Sequence, residues 1–281
     1  MKVKFFALIL FAAMAASLIV ACQKQDGVKQ QLARGAELEA KGLYSQAEEA
    51  FRGVLRLDSR NAVAHFGLGN VLSRQNRIDA GIAEYREALR LKPDFVEAHY
   101  NLGQALYGKG DFAGAMGEYR EVIRLKPEHA DAHSDLCAAL VNTHDVDGGI
   151  AECREALRLD PNNVGAHHNL GGALGGKRDF DGAIAEFRAA VRLKPESAIT
   201  HYYLGTALRE KGDLDGAITE FREAVRLKPD DAKAHYNLGL TLETKGDLTS
   251  ALGEYRAAYQ ADPSRPFFRD AYERLHRKLR H

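Results

Sequence analysis

The chain of 281 residues has no tryptophan, seven prolines and three cysteines. Cys22, Cys137 and Cys153 are too few to build a disulfide framework, so the fold must rest on an apolar core. An excess of either charge is also missing, since 39 basic residues face 39 acidic ones. Without Lys2 and Lys4, which lie in the acid-free first 22 residues, the balance is 37 to 39. That excludes the basic footprint of a nucleic-acid binder. No Ser/His/Asp set or isolated pair of carboxylates stands out for nucleophilic or acid–base catalysis. With 45% hydrophobic and 28% charged residues, the rest is ordinary for a folded chain.

There is one long uncharged run, from Phe5 to Ala21 after Lys2 and Lys4. A basic start followed by an apolar stretch is the layout of a secretory signal. At about 17 residues it sits at the short limit for a membrane span. The run ends in Ile19-Val20-Ala21-Cys22, which resembles the bacterial lipobox, with Ile19 where Leu is commonest. The resemblance implies that Cys22 is acylated and becomes the mature N-terminus, and that the protein is exported and lipid-anchored. Two or more acyl chains give a stable anchor where one gives only marginal binding. Gln23 favours the outer membrane if the host has one. An ordinary signal peptide cut near Ala16 or Ala21, or an uncut anchor helix, is the alternative. Residues 23–27 would form a short linker spanning at most about 18 Å.

Six prolines fall at 93, 127, 161, 195, 229 and 263, each 34 after the last; the seventh is Pro266. A fixed period of this length marks stacked supersecondary units. The units run 28–61, 62–95, 96–129, 130–163, 164–197, 198–231 and 232–265. In 96–129, apolar residues recur at spacings of three and four: Tyr100, Leu102, Leu106 and Tyr107, then Phe112, Ala115, Met116, Tyr119, Val122, Ile123 and Leu125. That is the pattern of two amphipathic helices. Gly110 suits a left-handed C-cap, Asp111 an N-cap, and Pro127 ends the second helix. Gly212-Asp213 and Gly246-Asp247 repeat the punctuation.

Small residues recur where helices must approach closely. Gly35, Gly69, Gly103, Gly171, Gly205 and Gly239 stand in first helices, and the expectation is that they face Ala47, Gly81, Ala115, Gly149, Ala183, Ala217 and Ala251 in second helices. Large rings recur at one second-helix position: Phe51, Tyr85, Tyr119, Phe187, Phe221 and Tyr255. Leu102-Gly103, Ala115, Tyr119 and Pro127 at these offsets resemble the tetratricopeptide repeat, and the resemblance covers 28–265. It implies an all-α, right-handed superhelical solenoid of seven helix-turn-helix units that binds proteins and catalyses nothing. His65, His99, His133, His167, His201 and His235 stand where that family usually has Trp. Unit 28–61 departs most, with Gln31, Arg34 and Ser59 at the His, Leu and Pro positions. Residues 266–281 read as a further amphipathic helix that covers the last unit through Phe267, Phe268, Ala271, Tyr272 and Leu275.

The repeating histidines occur once per unit and do not converge as zinc ligands must, at about 2.1 Å from one ion. They read as packing residues with local hydrogen bonds. His167-His168 point to two sides of one helix and form no ligand pair. Cys137 and Cys153 take the glycine and ring positions of unit 130–163, as small core fillers about a turn out of direct opposition; a disulfide between them is the alternative if the chain is exported. The run Gly171-Gly172-Ala173-Leu174-Gly175-Gly176 lies inside a helix, so it is a soft point and not a phosphate loop. The recurring Glu84, Arg86, Glu87 and Arg90 read as a solvated face with local ion pairs. No metal, cofactor, nucleic-acid or small-molecule partner is expected.

In the resembled family partners lie on the concave face lined by first helices. One candidate row is Phe66, Tyr100, Ser134, His168, Tyr202 and Tyr236. The next is Gly67, Asn101, Asp135, Asn169, Tyr203 and Asn237, and a third includes Asn70 and Gln104. Asn101, Asn169 and Asn237 fall where some relatives, such as the superhelix of O-GlcNAc transferase, carry an asparagine ladder. An amide both donates and accepts, so such a row can grip an extended peptide backbone. The other reading is that both rows pack repeat against repeat. A dicarboxylate clamp is rejected, because aromatics stand where its lysines should be. Function therefore reads as a tethered scaffold for protein or peptide partners, or as an accessory subunit of an envelope assembly or secretion machine.

Overall fold

The computed structural model describes residues 25–280. The expected signal peptide and lipobox, including Cys22, and residues 23 and 24 of the expected linker lie outside them. Among the described residues there are fifteen helices and no strand. The chain divides after Pro127 into two compact units. The first holds α1 (25–40), α2 (Tyr44–Leu57), α3 (Ala62–Arg74), α4 (Ile78–Leu91), α5 (Val96–Gly108) and α6 (Phe112–Leu125). The second holds α7 (Ala130–Asn142), α8 (Val146–Leu159), α9 (Val164–Gly176), α10 (Phe180–Leu193), α11 (Ala198–Lys211), α12 (Leu214–Leu227), α13 (Ala232–Thr244), α14 (Leu248–Ala261) and α15 (Pro266–Lys278). First helices start at 62, 96, 130, 164, 198 and 232, and α15 starts at 266, so the proline period is the helix period. Each first helix packs on its own second helix, and within each unit each second helix packs on the next first helix.

Backbone chemistry makes the turns. Gly42, Gly110, Gly212 and Gly246 hold the left-handed slot after the first helix, at φ between 73° and 91°. In three units the same slot is filled by Asn76, His144 and Arg178, at φ 62°, 68° and 63°, where a side chain carries strain. The next residue caps the second helix. Asp111, Asp145, Asp179, Asp213 and Asp247 each accept from a backbone N–H three residues on, at 2.9–3.1 Å.

Inside each hairpin the first-helix glycine seats the second-helix ring. A Cβ on Gly69 would lie 2.7 Å from the Tyr85 ring, one on Gly103 2.7 Å from Tyr119, and one on Gly205 2.9 Å from Phe221. The expected approach of glycine and the small residue opposite occurs as well: a Cβ on Gly81 would lie 3.0 Å from the Gly69 carbonyl, and one on Gly239 3.3 Å from the Ala251 carbonyl. The rings Phe51, Tyr85, Tyr119, Phe187, Phe221 and Tyr255 are buried, each contributing roughly 3 kcal/mol through lost apolar exposure.

Unit 130–163 departs from this. Cys137 and Cys153 stand at the seat and ring positions, and both are fully buried. They form a disulfide across α7 and α8 with Cα atoms 5.4 Å apart. The expected offset of a turn does not exist, because the glycine and ring positions of every hairpin touch directly.

The histidines clasp the repeats. Nδ1 of His65, His99, His133, His167, His201 and His235 lies 2.6 Å from a carboxylate nineteen residues on, respectively that of Glu84, Glu118, Glu152, Glu186, Glu220 and Glu254. Nε2 of His99, His167, His201 and His235 donates to the proline carbonyl six residues back, at 2.9–3.0 Å. His65 reaches the Ser59 carbonyl at 3.3 Å. Each of these rings thus ties its own hairpin to the turn before it. Burial disfavours charge on His99, but Glu118 and the Pro93 carbonyl outweigh it and raise its pKa above the imidazole value. Glu254 raises that of His235 against the effect of burial. The Glu84 series therefore belongs to an interhelix clasp and not to a solvated face. Glu87, by contrast, pairs locally with Arg90 at 2.7 Å as expected.

Lys109 pairs with Asp79, Lys177 with Asp147, Lys211 with Asp181 and Lys245 with Asp215, linking four of the hairpins to the one before. At the end of the second unit, α15 buries Phe268, Ala271 and Leu275 against α14. Arg274 makes a two-pronged bond to Glu243 at 2.7 Å, and Glu243 also accepts from the Tyr255 hydroxyl at 2.7 Å. Phe267 packs edge-on against Tyr236 of the last unit, with ring centroids 5.2 Å apart, and stays 44% exposed. The glycine-rich stretch 171–176 is helical throughout.

Candidate partner-binding site

First helices carry every candidate side chain, and the structure sorts them into three kinds. The aromatic row turns inward. Phe66 meets Tyr85 at 6.1 Å between ring centroids, Tyr100 meets Tyr119 at 6.1 Å, Tyr202 meets Phe221 at 5.9 Å and Tyr236 meets Tyr255 at 5.6 Å. These rings are half-buried packing partners of the second-helix rings. His168 does the same against Phe187 at 5.6 Å, and burial pushes its imidazole pKa down.

The asparagine row ties neighbouring first helices together. Asn101 Nδ2 donates to Asn70 Oδ1 at 2.8 Å, and Asn169 Nδ2 to the Ser134 carbonyl at 3.0 Å. Asn237 Nδ2 donates to the Tyr202 hydroxyl at 3.2 Å, while its Oδ1 accepts from Arg209 at 2.6 Å. Gly67 interrupts the row because the Phe51 ring occupies the space, 2.5 Å from where a Cβ would stand. Asp135 is half-buried on α7.

The third kind is exposed. Tyr203 is 40% exposed, stacked on Phe187 at 5.9 Å, and Ile199 one turn before it is 59% exposed. In the first unit, Asn70, Asn101 and Gln104 line a pocket of about 360 Å³ together with Glu39, Ser73, Arg74, Tyr85 and Ala105. Tyr85 donates to Asn70 Oδ1 at 2.9 Å, which fixes that amide. Burial pushes the Glu39 carboxyl above its ordinary pKa, against a hydrogen bond from Asn70 and the charge of Arg74. Arg74 is exposed where it lines the pocket.

Glu39, Arg74 and Tyr85 were not legible as pocket residues. For Arg74 a signal existed. The same position holds Gly108, Asn142, Gly176, Glu210 and Thr244 in later units, so the fold does not dictate it. Among the described residues no cluster of three metal-ligating side chains occurs. Nor is any described helix long and apolar enough to cross a membrane.

An array of helical hairpins with a polar pocket on its first helices is the architecture of a protein-interaction scaffold. A model described as "Tetratricopeptide repeat" matches residues 100–164, 168–232 and 205–266, and one described as "TPR repeat" matches 69–110. The chain belongs to the tetratricopeptide repeat family, whose members act as scaffolds for protein and peptide partners. No curated protein matches it in sequence.

Among solved structures, the APC/C hetero-tetramer Cut9–Hcn1 is similar with 18% identity and a TM-score of 0.74, over 86% of this chain and 48% of that one. This chain thus spans about half the length of that relative. YrrB, a TPR protein with an unusual peptide-binding site, is similar with 24% identity and a TM-score of 0.52, over 66% and 96%. PilF of Pseudomonas aeruginosa is similar with 20% identity and a TM-score of 0.64, over 73% and 94%. At these identities the likeness is one of fold.

Proposed function

We propose that this chain is an exported, lipid-tethered, non-catalytic scaffold that holds an extended peptide segment of a partner protein against its first helices. The observation that carries the reading is the pocket of Glu39, Asn70, Arg74, Asn101 and Gln104, a set of donors and acceptors at a position the repeat leaves free to vary. Exposed Tyr203 offers an apolar contact in the second unit. The asparagines serve first as ties between helices, so they shape the surface more than they grip a ligand. Export is supported by the leader and lipobox, and by a buried disulfide, since such bonds persist in oxidising compartments. Cys22 would carry the anchor.

The test is co-purification from detergent-solubilised membranes. The native chain is compared with Arg74→Glu/Gln104→Ala and with Tyr203→Ala, all checked for folding by circular dichroism. Loss of the same partner in the pocket variant supports the reading. A partner list unchanged in both variants sinks it. A partner that resists both variants and co-elutes stoichiometrically would point to the alternative, an accessory subunit of an envelope machine with a permanent interface.

A further inference from the structure

The hairpin α7–α8 lacks both rings of the packing that closes five of the others. There a first-helix ring meets a second-helix ring nineteen residues on, as in Tyr202–Phe221 and His168–Phe187, and that second ring sits on a glycine; in α1–α2, Leu32 stands at the first-helix position and Phe51 keeps its glycine seat. Here Ser134 and Cys153 take the two ring positions and Cys137 takes the glycine position. Two thiols fill less volume than a phenyl ring on its seat, and relaxation of the surrounding helices restores only part of the missing packing. What the hairpin has instead is the covalent bond between Cys137 and Cys153, sixteen residues apart.

We propose that closure of α7–α8 is conditional on oxidation: the disulfide replaces the ring packing of its sister hairpins, and the hairpin stays loose while its cysteines are thiols. The step joins Sγ of Cys137 to Sγ of Cys153. Two protons and two electrons pass to a reactive protein disulfide, which becomes a dithiol. The chain would thus gain its full rigidity only on meeting such an oxidant. Once formed, the bond is shielded, because both cysteines are fully buried and a reductant reaches them only through local opening. The inference stands on packing and does not depend on the partner-binding reading.

Hydrogen exchange with mass spectrometry on the full chain tests it. The oxidised protein is compared with protein unfolded and refolded in a phosphine reductant. Amides of 130–159 are expected to exchange on the order of 100-fold faster in the reduced form, the effect of opening a loop of this length. Cys137→Gly/Cys153→Phe restores the seat and ring, and should be protected with or without reductant. Cys137→Ser/Cys153→Ser should be loose in both. Equal protection of the oxidised and reduced wild type overturns the proposal. So does a serine variant as protected as the oxidised protein, or protein from an oxidising compartment that yields no cross-linked 137–153 peptide.

Discussion

Two adjacent glycines in α9 should respond with opposite sign to the same substitution. Both lie inside a helix, where glycine is destabilising relative to alanine by roughly 0.5–1 kcal/mol. That gain is common to Gly171→Ala and Gly172→Ala. The surroundings differ. Around Gly172 a new Cβ meets nothing within 4 Å, so the propensity gain should appear in full. At Gly171 the Cβ would stand 2.8, 2.9 and 3.0 Å from Cε1, Cδ1 and Cζ of Phe187. That ring is only 3% exposed and has nowhere to turn, so overpacking should cost about 1–3 kcal/mol. Gly172→Ala is therefore expected to stabilise by about 0.5–1 kcal/mol, and Gly171→Ala to fall about 1–3 kcal/mol below it. Urea unfolding of each purified variant, followed by far-UV circular dichroism, reads the difference directly. Equal shifts for the two variants, or a Gly172→Ala protein no more stable than wild type, would refute the seat-and-ring account of the hairpins.

Other consequences follow from the clasp, the turns and the caps. The pKa values of His99 and His235 are raised in the folded chain, so the stability they add is complete below the ordinary imidazole value of about 6.5 and is lost as pH climbs through the folded value. The urea midpoint should thus fall as pH rises from 6.5 into the alkaline range; a flat or rising midpoint would contradict the clasp. Arg178→Gly relieves a left-handed residue and should raise the melting temperature, with a net gain of up to about 1 kcal/mol after the entropy glycine adds to the unfolded chain. Asp213→Ala removes the cap on Gly216 N–H and should lose about 1 kcal/mol in the same unfolding measurement.

The fold was legible because its determinants are local and repeated. Pro93 and its successors, the Gly110-Asp111 punctuation and the three-and-four spacing around Tyr119 act within a few residues, and seven copies average out any one irregularity. What stayed hidden involves side-chain direction. Gly103 was recognisable as a close-approach site, but that it also seats the Tyr119 ring depends on how the two helices are turned. The bond between His99 and Glu118 spans nineteen residues and leaves no periodic mark of its own, since both repeat at 34 like everything else. The candidate site was legible only in part. Asn70, Asn101 and Gln104 could be placed on first helices, yet Glu39 and Arg74 stand at the ends of successive first helices, at positions whose residue type changes from unit to unit. Departures from the repeat, such as Arg74, Tyr203 and Cys137, carry more information about what this chain does than the positions that obey it.

The start of α15 at residue 266, one full period after α13, has an engineering consequence. Its buried Phe268 and Leu275 lie at the register of Ala234 and Thr241, on the face a first helix turns toward the preceding hairpin. The joint between 265 and 266 therefore falls at the same register as every earlier joint in the second unit. A duplicate of 232–265 spliced in there would present its own copies of Tyr236 and Glu243 to α15, so that Arg274 keeps a carboxylate partner. Chain length in this architecture behaves as an adjustable dimension, set by how many copies are inserted and not by redesign of an end.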